Sequence, residues 1–371
     1  GRVQTPSSNP FWVNLVNGAD ILFLGTPLGR VKISPETSRV NVSLFFIYAQ
    51  QNGKYIFMAD IFGKYDLFRQ KQRKILPLPR KFEQGSGYQD LLESIHRRSV
   101  RDRYTFTVKK TYPNVVLAET FGTKSINFIN SQFGYSASNI VIAESICSDD
   151  VNAPIFTGNI GQFPTSATSY LGPFMAGGLA GYPHTGVVGL AAWMSHATTA
   201  TNGALFLYSA PHIGITSDGD VGFMRRRGQG NALSSTCGAV AAAIATVTAS
   251  GAVQPTTNNY SLLPGSNALN DYQQFTLTSI LWDNKATILA ANASDRMRIA
   301  TEIIRSASQT WVTNNIQAAY TMVGSTADVF FCTGTFINVD DGNDAYIDTS
   351  TFAKYNNSGW TDYTAAFKNT L

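Results

Sequence analysis

The sequence predicts an α/β fold: a sheet with flanking helices, preceded by a small β-rich N-terminal module. Three observations carry this. Short apolar runs of strand length, at 139–146 and 204–209, alternate with helical stretches. A 44% hydrophobic and 14% charged composition describes a chain with a large core rather than a disordered one. The residues up to 84 are patterned differently from the rest, and 371 residues is long for one domain, so a core domain of 85–371 with an extension of 1–84 is the natural division.

In the N-terminal module, VNVSLFFIYA (40–49) and KYIFMADIF (54–62) flank Gln50-Gln51-Asn52-Gly53, and Asn-Gly is a strong hairpin turn signal. Arg69, Lys71, Arg73, Lys74, Arg80 and Lys81 follow with no acid among them. Such a strip is ordinarily a solvated linker; the sharper reading is a docking strip for an acidic partner. No nucleic-acid-binding motif accompanies it, so no nucleic acid is expected as partner. Gly85-Ser86-Gly87 marks the boundary.

Beyond it, YQDLLESIHRR (88–98) has helical spacing, with Leu91, Leu92 and Ile95 on one face. Residues 139–146 read as a buried parallel strand and 204–209 as a second. A helix of small residues spans 238–250. Another spans 295–311, with Ser294 as its cap and Met297, Ile299, Ile303, Ile304 and Ala307 toward the core. DVFFCTGTFINV and DAYIDTSTF close the chain as strands. The longest apolar run, 239–249, is too short to span a bilayer, so no transmembrane segment is expected.

The chemistry lies in Cys147, His212 and Cys237. Each sits where a strand ends or a helix begins, and in open α/β sheets working sites lie beyond the carboxyl ends of strands. Cys147 directly follows its strand, His212 follows the second by three residues, and Cys237 opens a helix whose N–H groups favour a thiolate. Two thiolates and one imidazole leave a fourth tetrahedral position, the arrangement of a catalytic zinc. Cys332, inside an apolar strand, fits a small buried hydrophobe. Three cysteines cannot all pair, and their spacing matches no secreted disulfide framework. Asp149 stands two residues after Cys147, where a carboxylate can ligate the metal or accept a hydrogen bond from metal-bound water; it can equally be an ordinary acidic loop residue. An arginine of the Arg225-Arg226-Arg227 run could pair with it. No G-x-S-x-G elbow supports a hydrolase.

These residues carry a family resemblance. GYPHTGVVGLAAWMSH, APHIGITSDGDVGFMRRRGQ and STCGA, with ICSDDVN upstream and FINVDDGNDAYIDTSTF downstream, resemble the limiting-CO2-inducible B/C family, whose domain is similar to the β-carbonic anhydrases. The resemblance spans about 87–355. It implies a β-carbonic-anhydrase-like sheet and Zn2+ held by Cys147, His212 and Cys237. It also implies an Asp149–Arg226 dyad and reversible hydration of CO2 to bicarbonate. A homodimer or related heteromer, placed in the chloroplast stroma near the carbon-fixing machinery, goes with it. His184 and His196 fall in the matching blocks as proton-shuttle candidates or as ordinary pocket histidines. AGGLAG (176–181) reads better as a flexible or close-packed loop than as a phosphate cradle. Two departures stand out. Residues 1–84 match nothing in the family, and Thr236 stands where the family often has a first of two cysteines. They leave a second reading: a scaffolding subunit that keeps the domain and assembles through residues 1–84.

Overall fold

The computed structural model describes residues 100–371 except 137–138, 150, 153–154, 157–173, 176–178, 183–185, 199–202, 227–228, 231, 262–264, 341–343 and 357, together with the backbone of four strands before residue 63. The basic strip, the expected helix at 88–98 and His184 lie outside the described residues. The chain divides into two compact units, Gly1–Leu92 and Glu93–Leu371.

In the first unit, β1 (Phe11–Leu15) pairs antiparallel with β2 (Ala19–Phe23), and β3 (Ser43–Gln51) with β4 (Lys54–Phe62). The Gln51↔Lys54 register encloses Asn52-Gly53, the two-residue connection that this dipeptide favours. The strand before the turn starts three residues later than its sequence suggests.

The second unit holds, among the described residues, an eight-stranded mixed sheet. Its parallel part joins β6 (Ile140–Ile146), β7 (Phe174–Met175), β8 (Ala204–Ala210), β9 (His212–Ile215) and β12 (Asp328–Val339). Beyond β12, β13 (Tyr346–Asn356) runs antiparallel and carries β5 (Val116–Leu117) and β14 (Gly359–Asp362). The small pair β10 (Phe223–Arg225) and β11 (Leu233–Ser235) stands apart.

Strand side chains alternate between faces. Ile140, Ile142, Phe206, Tyr208, Phe330 and Cys332 belong to one layer, rich in aromatics, covered by α1 (Ala118–Phe133). Val141, Ala143, Leu205, Leu207, Val329 and Phe331 belong to the other, covered by α2 (Gly186–Thr198). Both faces being buried explains why β6 and β8 are mostly apolar, with Glu144, Ser145 and Ser209 buried among them. At the carboxyl end of the parallel strands a third cluster gathers Cys147, Ile213, Ile337 and Cys237. It is closed by α3 (Gly238–Thr248), α4 (Tyr272–Asp283), α5 (Lys285–Ala290) and α6 (Arg296–Met322). A short α7 (Thr364–Lys368) packs Phe367 against the aromatic layer.

The long helix corrects the sequence reading in two ways. It continues to Met322, eleven residues past the expected end, because Val312, Ile316, Ala319 and Tyr320 extend its buried stripe into the second layer. Ser294 does not cap it. Ser294 lies in a 3-10 turn, and the N-cap position is Asp295, whose carboxylate takes two 2.7 Å bonds from Arg298 instead. Its buried face centres on Met297, Ala300, Ile304 and Ser308, while Ile299, Ile303 and Ala307 are only partly covered.

Candidate metal centre

Cys147 directly follows β6. Asn152 ties the loop after it back, donating from Nδ2 to the Cys147 carbonyl at 3.1 Å. His212 does not lie in a loop beyond its strand: it opens β9, whose register resumes pairing with β12 at Phe336 after Pro211 interrupts the ladder. Cys237 is the N-cap residue of α3, as its position before a helix suggests. Backbone bonds from Gly214 to Thr236, Gly222 to Gly214 and Thr236 to Gly222 draw the Cys237 segment onto β9. Gly214 permits this approach, since a Cβ there would stand 2.6 Å from the Phe223 carbonyl oxygen.

The ligating atoms of Cys147, His212 and Cys237 lie within 4.8 Å of one another, and all three residues are buried. The two Sγ atoms are 3.7 Å apart, far beyond a disulfide bond. Two thiolates on one tetrahedral zinc, with Zn–S near 2.3 Å, stand roughly 3.8 Å apart, so the spacing fits a shared metal. His212 Nδ1 is 2.8 Å from Asn338 Oδ1, while the buried Nε2 has no hydrogen-bond partner. A buried ring nitrogen without a hydrogen bond, beside two sulfurs, is a group that could hold a metal ion. The hydrogen bond with Cys237 and the neighbouring His212 hold the Cys147 thiol well below its usual range. That thiolate and burial push Cys237 up. Burial alone would lower the His212 pKa, but Cys147 and Asn338 raise it.

Beside this cluster, Arg226 donates from Nη1 to Asp149 Oδ1 at 2.7 Å and from Nη2 to Asp149 Oδ2 at 2.8 Å, a bidentate pair with both side chains mostly buried. Asp149 Oδ2 lies 3.7 Å from His212 Nε2. Arg225 turns the other way: its guanidinium meets Asp340 and Asp218, and its backbone N–H donates to Asp340 Oδ1. Arg225 is the last residue of β10 and Arg226 the first beyond it, and the two side chains have separate carboxylate partners. The side chain of Arg227 lies outside the described residues. His196 is exposed on α2. Cys332 is buried in β12 in the aromatic layer.

The AGGLAG loop is close-packed where described. A Cβ on Gly181 would meet the Ala210 carbonyl oxygen at 1.9 Å, and Ser145 and Ser209 both donate to the Gly181 carbonyl. Ala180 packs in the apolar cluster that includes both cysteines. Sequence reasoning missed Asn338 and Asn152. The available signal was a lone amide in the otherwise apolar run FINV, where a buried polar group needs partners.

The sequence profile of the limiting CO2-inducible proteins B/C, beta carbonic anhydrases, matches residues 118–357. Among solved structures, PtLCIB4, described as a homolog of the limiting CO2-inducible protein LCIB, is 25% identical, with a TM-score of 0.55 over 70% of this chain and 98% of that one. A histidine-to-alanine mutant of PtLCIB4 is 24% identical, with a TM-score of 0.55 over 69% and 96% of the two chains. A search of curated proteins finds no match.

Proposed function

The chain belongs to the limiting CO2-inducible protein B/C family of β-carbonic anhydrases, and from that premise we propose that it catalyses zinc-dependent, reversible hydration of CO2 to bicarbonate. One observation carries the reading: His212 Nε2, buried and without a hydrogen bond, faces Cys147 and Cys237 beside an aspartate held by an arginine. In this reading Cys147, His212 and Cys237 hold Zn2+, which when bound lowers the pKa of water toward about 7 and so supplies a nucleophile at neutral pH.

The chain's own residues do the rest. Asp149 accepts a hydrogen bond from the attacking water and thereby orients its lone pair. Arg226, bound through both nitrogens at 2.7 and 2.8 Å, keeps that carboxylate ionised and stops it turning toward the metal. The apolar neighbours of the cysteines, including Ala180 and Ile213, suit an uncharged substrate such as CO2. Stopped-flow CO2 hydration by zinc-loaded protein tests the reading. Cys147→Ser should abolish stoichiometric zinc and reduce hydration to background; equal rates in the two proteins would refute it.

We also propose that residues 1–84 form an assembly module distinct from the anhydrase domain at 85–371. The family match begins only at residue 118, and the first unit by itself is compact. A homodimer or related heteromer in the chloroplast stroma is the setting that family membership favours. In the alternative reading the chain is a scaffolding subunit with little turnover. Deleting 1–84 should abolish co-sedimentation with the native complex while sparing hydration. Unchanged association would remove the docking role. Among the described residues, no helix is long and apolar enough to cross a membrane.

A further inference from the structure

We propose that Asn338 is a positioning residue: through Asn152 it transmits the polarity of the Cys147 carbonyl to His212 and so fixes which ring nitrogen faces the two cysteines. The inference rests on the zinc reading only for its consequence, since the chain of hydrogen bonds stands by itself.

An asparagine amide can point either way, and its orientation follows from its partners. Here the starting point cannot turn over. The Cys147 backbone carbonyl only accepts, so the Asn152 group facing it at 3.1 Å is the Nδ2 donor. Asn152 Oδ1 is then the acceptor left for Asn338, whose Nδ2 lies 3.1 Å from it and 3.3 Å from the Val151 carbonyl. With Nδ2 committed to two oxygens, Asn338 presents Oδ1 to His212 Nδ1 at 2.8 Å. Nδ1 therefore carries the proton, and a neutral ring keeps its lone pair on Nε2, the buried nitrogen without a hydrogen bond.

The topology explains how residues so distant in sequence meet. His212 opens β9, and Asn338 lies two residues beyond its register partner Phe336 on β12; Asn152 belongs to the loop leaving β6. One link each thus comes from β9, from β12 and from the loop that leaves β6. Without Asn338 the ring would be free to protonate Nε2 and lose its lone pair there.

The test is an NMR measurement of the His212 imidazole by long-range 1H–15N correlation, on zinc-loaded protein and on metal-free protein at alkaline pH, assigned by loss of the signal in His212→Gln. The proton is expected on Nδ1 in both. Alongside it, zinc affinity is measured by chelator competition. Asn338→Leu should weaken binding about 10–100-fold, and Asn338→Asp, which retains an acceptor for Nδ1–H but sets its other oxygen against Asn152 Oδ1 and the Val151 carbonyl, should recover only part of that loss. Asn152→Ala, milder for folding, should give a smaller loss. A proton on Nε2 in metal-free wild-type protein overturns the proposal, as does wild-type zinc affinity in Asn338→Leu. The two ideas fail separately. If Cys147→Ser binds zinc as tightly as wild type, the metal assignment falls, while the tautomer of metal-free protein still decides the role of Asn338.

Discussion

Replacing Arg226 by alanine separates holding the metal from aiming the carboxylate. In the folded protein the Arg226 and Asp149 side chains are 14% and 13% exposed and share two charge-assisted bonds of 2.7 and 2.8 Å. Breaking a fully buried pair costs about 3–5 kcal/mol. The remaining exposure screens part of that, so the expected loss of stability is roughly 2–3 kcal/mol by urea unfolding. The kinetic effect has a different origin. Freed from the guanidinium, Asp149 has an oxygen 3.7 Å from His212 Nε2 and can turn toward the metal position. Misplacing a positioned group by about 1 Å can cost 100-fold in rate, or about 2.7 kcal/mol of barrier. Arg226→Ala should therefore keep stoichiometric zinc, by elemental analysis, and lose about 100-fold in kcat/KM for CO2 hydration by stopped flow. Arg226→Lys, a point charge that cannot bind both oxygens, should fall between. Activity within twofold of wild type in Arg226→Ala, at equal zinc content, would refute the assigned role of the pair.

Two further predictions concern the scaffold. Glu144 is fully buried in β6, accepts the Ile155 N–H at 2.8 Å through Oε1, and leaves Oε2 without a partner; burial pushes its carboxyl from 4.5 up to about 7. A raised carboxyl pKa means stability is fully present below 4.5 and is lost as pH rises through about 7, a change of about 3 kcal/mol at 1.36 per pH unit. Glu144→Gln, which keeps an acceptor for Ile155, should gain that amount relative to wild type between pH 4.5 and pH 8 in denaturant titrations; a pH-independent difference would contradict the cause given. Gly181 and Gly134 have nearly the same backbone angle, φ +76 and +77, but different surroundings. Gly134→Ala has open space and should cost only the left-handed penalty, about 1–2 kcal/mol. Gly181→Ala would strike the Ala210 backbone at 1.9 Å and should cost about 3 kcal/mol or more, by thermal and urea unfolding of both variants.

The elements legible in the sequence were those with one dominant local signal. The 204–209 run is a strand because a nearly continuous apolar run of this length needs both faces covered. The hairpin at Asn52-Gly53 has its turn written in two residues. Helices α1, α2, α4 and α5 had no comparable signature. In α1 the buried set Phe121, Ser125, Phe128 and Ile129 is interrupted by polar and small residues, and its amphipathicity emerges only against the aromatic layer. The end of α6 was misplaced for a related reason: Asn314, Asn315 and Gln317 look like a helix terminus, yet Val312, Ile316 and Ala319 continue the face that packs on the sheet.

For the site, residue chemistry and strand-end placement selected Cys147, His212, Cys237 and Asp149, because thiols, imidazoles and carboxylates are few and punctuate the apolar runs. The family resemblance already favoured Arg226 over Arg225; the structure adds the separate partners of the two, Asp149 for Arg226 and Asp340 with Asp218 for Arg225. Asn338 and Asn152 could not be read at all from spacing: they lie 186 positions apart and acquire meaning only as a hydrogen-bond chain between β12 and the loop that follows β6. The sequence by itself determined which groups could hold a metal, a matter of side-chain chemistry and local pattern. Tertiary structure alone decided which amides face His212 and which carboxylate each arginine meets. Those choices depend on directions and distances between segments that are remote in the chain.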